Sequence, residues 1–312
     1  MLNSIFYFPG FPKGESRRSA VCKMDGSNTI QDVDVLERLR SASGFVFDLD
    51  GTLTKSGQPG ERFEVNHGAP ELLALLNERN LPYVVLTNGT SRQPSTYEHL
   101  LTAAGLPVSA RHIMTPASVA ADFFLSEGFR TVLVLGVESV WAPLRDAGLE
   151  VLLPGDDAVD PETRVDAVFA GWYREFSLDE IEVACEAVRN GAALYAASLV
   201  KSFRRGSHET IGSSRAICDI IEGVTGASAK AIGKPSSIAL QSAAGRLNKD
   251  VANIAVVGDD PALEIRMAKE NGATAIAVQP GSRKSNGAAT HPEGHQPDAT
   301  VRNLEELLKL LQ

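Results

Sequence analysis

The sequence predicts an α/β protein whose parallel sheet is covered by helices on both faces. Three observations carry that expectation. Short apolar runs recur with no polar alternation, segments of helical spacing separate them, and several runs end abruptly on acids, hydroxyls or amides. Strands buried on both faces read as continuous apolar runs, and the helices between them provide the crossovers that parallel strands require.

The elements follow in order. Residues 1–43 are set apart as an N-terminal extension, a lead rich in Gly, Pro and Ser and then a short helical pattern, DVDVLERLR (32–40). FVFD (45–48) is the first strand, and APELLALLNERN (69–80) has helical spacing after it. PYVVLT (82–87) is the next strand and STYEHLLTAAG (95–105) the next helix. TVLVLG (131–136), DAVFAG (166–171), AALYAA (192–197), IAVVGD (254–259) and TAIAVQP (274–280) continue the strand series. Between them, SLDEIEVACEAVRNG (177–191) and ALEIRMAKENG (262–272) show helix spacing and close on glycine. Residues 279–300 read as a solvated loop. His291 and His295 stand four apart there, but Pro292 and Gly294 oppose the helix that would pair them on a metal. NLEELLKLL (303–311) is an amphipathic C-terminal helix.

The 312 residues suffice for one large domain or two ordinary ones. A net charge of −9 argues against a nucleic-acid partner, while a local basic pocket for an anionic ligand is compatible with it. Cys22, Cys185 and Cys218 lack CxxC spacing, which opposes both a disulfide framework and a zinc site. No apolar run reaches the roughly 18 residues of a membrane helix. The apolar opening SIFYFPGFP is short, and no basic segment precedes it. The expectation is a soluble, cytoplasmic protein with no membrane partner.

In open α/β sheets, ligands bind outside the carboxyl ends of the strands. Here the first strand ends on Asp48, with Asp50 next but one in DLDGT. PYVVL leads into Thr87-Asn88-Gly89, IAVVG into Asp259-Asp260, and Gly233-Lys234-Pro235-Ser236 precedes a predicted helix. Each piece alone has a plainer reading as a turn, a helix cap or a surface charge. Together, at one rim, they supply carboxylates, an ammonium, a hydroxyl and an amide. Crowded carboxylates require a cation. With oxygen ligands and no Cys/His set, the suited cation is Mg2+. Magnesium beside a lysine and hydrogen-bond donors suits a phosphate group. Asp48 can then attack phosphorus to form an aspartyl-phosphate. Strand alternation turns Leu49 away and returns Asp50 to the same side, where it can protonate the leaving oxygen and later take a proton from water. Gly51 lets the backbone bend close to the phosphate.

FDLDGT (47–52), LTNGTSR (86–92), GKPS (233–236) and VGDDPALE (257–264) resemble, in that order, the four signature motifs of the haloacid dehalogenase-like hydrolase superfamily. The spacing is similar to that of the large-cap branch of nitrophenylphosphatase-type and NagD-like phosphatases, and the likeness covers residues 44–312. It implies a Rossmann-like, doubly wound parallel-sheet core from residues 44–124 and 230–312. A second, smaller α/β cap domain is implied over residues 125–229. By the same resemblance Asp48 is nucleophile and metal ligand, and Asp50 is general acid/base with its carbonyl on the metal. Thr87, Asn88 and Gly89 bind phosphate, Lys234 steadies nucleophile and phosphate, and Asp259 ligates the metal. The fourth motif usually closes on Asp; here the matching position is Glu264, so either Glu264 or Asp260 supports the metal's waters. Relatives often carry an Asn- or Asp-containing turn where this chain reads SLVKSFRRGSHET (198–210). Lys201, Arg204, Arg205 and His208 make that segment basic and are candidates to contact the leaving group, while Phe203 suits either packing or stacking. The implied function is a magnesium-dependent phosphatase of small phosphomonoesters, a sugar phosphate or related metabolite, and a homodimer through the cap is implied as well. A phosphotransferase or mutase on the same core, or a non-catalytic phosphate-binding module, are the alternatives. The second is opposed by the presence of Asp48, Asp50, Lys234 and Asp259 together.

Overall fold

The computed structural model describes residues 33–55, 62–156, 159, 163–205, 208–279 and 295–312. In chain order, α1 (Val33–Arg40) leads into β1 (Gly44–Phe47), α2 (Ala69–Glu78), β2 (Tyr83–Leu86), α3 (Pro94–Ala103), β3 (Ile113–Met114) and α4 (Pro116–Ser126). Next come β4 (Thr131–Leu135), α5 (Glu138–Asp146), β5 (Glu150–Leu152), β6 (Ala167–Ala170), α6 (Leu178–Arg189) and β7 (Ala193–Ala196). A hairpin of β8 (Ser202–Arg205) and β9 (His208–Ile211) precedes α7 (Ser213–Thr225) and β10 (Lys230–Ala231). The chain closes with α8 (Ser237–Leu247), β11 (Ile254–Gly258), a π-helical turn (Pro261–Ile265), α9 (Arg266–Asn271), β12 (Thr274–Val278), β13 (Ala299–Val301) and α10 (Leu304–Leu311).

These strands form two parallel sheets. The first has the order β13-β12-β11-β1-β2-β3 and the second β10-β7-β6-β4-β5; β8 and β9 pair only with each other, antiparallel. β1 lies between β11 and β2, with Phe47 opposite both Val257 and Val85. That register aligns the carboxyl ends of three strands at one rim. All four residues of β1 and of β2 are buried, which explains their unbroken apolar sequence.

Alternate residues of the strands feed different cores. Phe45 and Phe47 join Leu72, Leu76, Leu101 and Leu307 on one face of the first sheet. Leu133 and Leu135 join Ile181, Ile217 and Cys218 on the outer face of the second. Val46 and Val84 of the first sheet share a single cluster with Val132 and Phe169 of the second, together with Phe124 on α4 and Leu240 on α8. The two sheets are therefore fused through a common apolar layer.

Local signals start the helices as well. Thr115 and Ser118 form a reciprocal capping box on α4, and Ser177 and Glu180 form one on α6. Two elements differ from the sequence expectation. The basic segment at 198–210 contains a hairpin, foreshadowed by Gly206-Ser207 between two four-residue runs. The helix expected over 262–272 opens as a π turn, because its wider winding carries Glu264 inward beneath Gly258.

Cys185 and Cys218 are free and buried, and burial pushes the Cys218 thiol up to about 12. Cys22 and His291 lie outside the described residues. His295 is half-buried, with Nε2 3.3 Å from Glu270. Among the described residues, no helix is long and apolar enough to cross a membrane.

Phe124 is the aromatic node of the shared layer, with its ring 5.8 Å from Phe169 and 5.1 Å from Tyr195, both edge-on. Phe124→Ala is expected to lower unfolding free energy by about 3–5 kcal/mol, read from the guanidinium midpoint. An unchanged midpoint would mean that this ring does not hold the layer together.

Candidate active site

The rim is built on the central strand. The Asp48 N–H donates to the Val257 carbonyl at 2.9 Å, one step beyond β1, so the residue is anchored in the sheet while its side chain enters the cleft. Only 6% of Asp48 is exposed. On the other flank, the Thr87 N–H donates to Met114 O at 3.0 Å, which extends β2 in the same way.

Lys234 reaches this rim from the second sheet. The Ile232 and Gly233 N–H groups donate to the carbonyls of Ala196 and Ala197, at 2.9 and 3.0 Å, continuing the pairing of β10 with β7. The cis Lys234-Pro235 peptide follows. Asn88 clasps the lysine from the other side: its Oδ1 accepts from Lys234 N–H at 2.8 Å, and its Nδ2 donates to Lys234 O at 2.9 Å. Both polar ends of the Asn88 amide are thus engaged by one residue.

The Lys234 ammonium is buried between two carboxylates. Nζ pairs with Asp48 Oδ1 and lies 2.6 Å from Glu264 Oε1. Burial alone would lower its pKa, but Asp48 and Glu264 outweigh that and hold it above the ordinary lysine value. Glu264 is 1% exposed. Burial pushes its carboxyl upward, Lys234 opposes the rise, and the charge on Asp48 adds to it. One ammonium compensates a single carboxylate fully, and the second carries the remainder. Glu264 Oε2 also accepts the Asp260 N–H at 3.1 Å, and Asp260 Oδ1 accepts the Ala262 N–H at 2.8 Å. A Cβ on Gly258 would strike the Glu264 side chain, so the glycine makes room for the inward acid.

Asp50 sits at the mouth. Leu49 is turned into the core while Asp50 keeps a face open to solvent. Protein crowding around the rest of its carboxyl, reinforced by Asp48, pushes the pKa up to about 6 against the pull of Lys234 and Arg92. Thr87 Oγ1 lies 3.5 Å from Asp50 Oδ2 and accepts the Gly89 N–H at 3.0 Å. Gly51 adopts φ +110°, and a Cβ there would collide with the Asp259 carboxylate, so Asp259 faces this loop directly. The loop is braced by hydrogen bonds from Gly51 N to Thr54 O (2.7 Å) and from Asn66 Nδ2 to Thr52 O (2.8 Å).

The donors fit a magnesium ion. Asp48 Oδ2 is buried without a hydrogen-bond partner among the described residues, so a cation would satisfy it. Asp259 brings a second carboxylate to the adjacent loop, and every available donor is oxygen. Among the described residues, no three His, Cys, Asp or Glu side chains stand at metal-holding spacing.

Three residues at this rim escaped the sequence reading of the site: Phe63, Arg92 and Tyr97. The Arg92 guanidinium lies over both rings, and Tyr97 is buried at 2% exposure. Arg92 closes the quoted run LTNGTSR, which was the available signal; Phe63 and Tyr97 had none. In the second unit, Lys201 is exposed, and the side chains of Arg204, Arg205 and His208 lie outside the described residues. Their backbones pair as Arg204 opposite Glu209 and Arg205 opposite His208. Phe203 is 39% exposed, with its ring 6.2 Å from that of Trp172.

Comparisons with known proteins agree with this geometry. A family model of haloacid dehalogenase-like hydrolases matches residues 45–150, and a HAD-hydrolase-like model matches residues 231–307. An acid sugar phosphatase of Staphylococcus saprophyticus is 26% identical over 275 residues, covering 88% of this chain and 100% of the relative. A 5'-nucleotidase, YutF of Bacillus subtilis, is 26% identical over 249 residues, 79% of this chain and 90% of the relative. The NagD structure from E. coli K-12 superposes with a TM-score of 0.71 at 23% identity, covering 84% of this chain and 96% of that one. A glycerol phosphate phosphatase of Mycobacterium tuberculosis, solved with magnesium, gives 0.72 at 22% identity, covering 86% and 77%. These structures share the fold of parallel sheets flanked by helices. The two matched segments hold all four motifs whose side chains meet around Asp48, and the chain belongs to the haloacid dehalogenase-like hydrolases.

Proposed function

We propose that this chain is a magnesium-dependent phosphatase that hydrolyses small phosphomonoesters through an aspartyl-phosphate on Asp48. The observation that carries the reading is the Asp48 carboxylate: one oxygen bound to a buried lysine, the other buried without a partner among the described residues, with a second acid at the cleft mouth. The sugar phosphatase and nucleotidase relatives support it.

An Asp48 oxygen attacks phosphorus, and the bond from phosphorus to the ester oxygen breaks as Asp50 delivers its proton to that oxygen. Water then attacks the phosphorus of the acyl-phosphate, Asp50 takes the water's proton, and the bond to Asp48 breaks to release phosphate. Lys234 orients Asp48 by its ion pair and faces the phosphoryl charge, and Glu264 and Asn88 hold the lysine. Thr87 and the Asn88-Gly89 turn line the phosphate's other flank. Asp48, Asp259 and the Asp50 carbonyl would hold magnesium, with Asp260 and Glu264 beside its waters. When bound, the ion supplies positive charge against the carboxylates and the phosphate oxygens.

The segments 44–124 and 230–312 form the catalytic core in this reading, and 125–229 is the cap that meets the leaving group. Lys201, Arg204, Arg205 and His208 on or beside the hairpin favour sugar phosphates or related anionic metabolites. Exposed Leu178 (69%) and Ile211 (65%) support pairing of two copies through the cap. The free, buried thiols of Cys185 and Cys218, among the described residues, accord with a cytoplasmic setting.

Asp48→Asn is expected to reduce kcat on an aryl phosphate by about a thousandfold or more, with the thermal midpoint retained. Turnover close to wild type in that variant would remove the nucleophile from the scheme. Chelation with EDTA should abolish phosphate release and added Mg2+ should restore it; full activity in EDTA would count against the metal. Asn88→Ala removes two hydrogen bonds from the Lys234 backbone and should lower kcat about tenfold with little change in KM. Unaltered kcat would show that the lysine is held without it.

A further inference from the structure

A run of hydrogen bonds leads from Arg92 through Tyr97 to Thr87 at the catalytic rim. The Tyr97 hydroxyl bonds with both Arg92 and Thr87. It occupies the space that a Cβ on Gly89 would take, so the turn after Thr87 closes against it. Tyr97 is carried by α3 and is 2% exposed. The Arg92 guanidinium carbon lies 5.9 Å from the Tyr97 ring centre and 5.8 Å from that of Phe63, and the two rings stand 6.1 Å apart. At the far end, Thr87 Oγ1 accepts the Gly89 N–H at 3.0 Å and lies 3.5 Å from Asp50 Oδ2.

The chemistry of these groups gives the run one direction. A guanidinium carries donors and no acceptor, so Arg92 donates to the Tyr97 oxygen. The phenol keeps its own proton to donate, and its other partner is Thr87 Oγ1. Burial, followed by the charge on Asp50, pushes the Tyr97 phenol up to about 12, so that proton stays in place at ordinary pH. A threonine hydroxyl offers two acceptor positions and one proton. The Gly89 N–H fills one acceptor position and the Tyr97 O–H the other. The Thr87 proton is then left to point at Asp50 and at the space beside it. The reverse order, with Thr87 donating to Tyr97, would turn the Tyr97 proton toward a guanidinium that cannot accept it.

We propose that Tyr97 is a positioning residue that fixes the Thr87 hydroxyl as a donor aimed into the site, with Arg92 setting the direction of the hydrogen bonds. The proposal rests on the phosphatase reading and adds to it a residue outside the four motifs. A donor that is already aimed needs no reorientation as charge grows on a phosphoryl oxygen. Tyr97 acts entirely through Thr87 and does not touch the substrate.

Tyr97→Phe keeps the ring beneath Arg92 and removes only the hydroxyl. On an aryl phosphate its kcat/KM should fall about tenfold, since a hydrogen bond that orders the donor is lost. The deciding comparison is made in Thr87→Val, which has the same shape and no hydroxyl. There the added Tyr97→Phe change should alter kcat/KM by less than about twofold, because the group it positions is gone. The same loss in both backgrounds would assign Tyr97 to packing, and no loss in the single variant would remove its hydroxyl from the reaction; either overturns the proposal. Circular dichroism and the thermal midpoint establish that all four proteins are folded, and Thr87→Ala takes the place of Thr87→Val if that variant fails to fold. Calorimetric binding of inorganic phosphate reads the same cycle without turnover. Tyr97→Phe should weaken it in the wild-type background and leave it unchanged in the Thr87 variant, and equal weakening in both overturns the proposal. Wild-type protein that binds phosphate but does not hydrolyse the aryl ester rejects the phosphatase reading, while the binding cycle still decides the role of Tyr97.

Discussion

One buried ammonium between two buried carboxylates organises this site. Taking three charges out of water is expensive, and their attraction compensates only when geometry and hydrogen bonding are good. Removing one member leaves an uncompensated charge in the interior, at a cost of about 3–5 kcal/mol. The surrounding details serve that constraint. Asn88 fixes the Lys234 backbone from both directions. The π turn and the bare Gly258 admit Glu264. Asp48 is tied to the central strand by its own N–H. Held in this way, the Asp48 carboxylate is fixed in position in a nearly dry setting, with one oxygen on the ammonium.

The lysine also joins the two sheets. It follows directly on the ladder between β7 and β10, at the edge of the second sheet, yet its ammonium is bound by residues that follow β1 and β11 of the first. Ser139 on α5 adds a second tie, donating to the Thr90 carbonyl at 2.7 Å in the loop after β2. With the shared apolar layer beneath, these contacts hold the groups at the rim on rigid elements, which favours a preorganised site.

Much of the fold was legible residue by residue. The run 45–48 appears as β1 at Gly44–Phe47, and 254–259 as β11 at Ile254–Gly258. Continuous apolar runs and capping residues are local properties, so a linear reading recovers them. The hairpin at 202–211 was passed over because its charged residues hid two short strands. The helix expected at 262 opens as a π turn because the demand that bends it, Glu264 reaching Lys234, comes from a residue thirty positions away. Arg92 lay inside LTNGTSR, but its seat is made by Phe63 and Tyr97, which no motif names.

By itself, the sequence determined the alternation of strands and helices, the family, and the chemical types gathered at the strand ends. Those follow from short-range patterns, where each residue's neighbours in the chain suffice. Only the tertiary structure decided which charges neutralise which. It bound Lys234 to both Asp48 and Glu264, committed the Asn88 amide to the lysine backbone, and set Arg92 over the rings of Phe63 and Tyr97, where its charge acts on Asp50. Charge compensation acts through space at distances of a few ångströms and depends on burial, and neither quantity exists until the chain has folded.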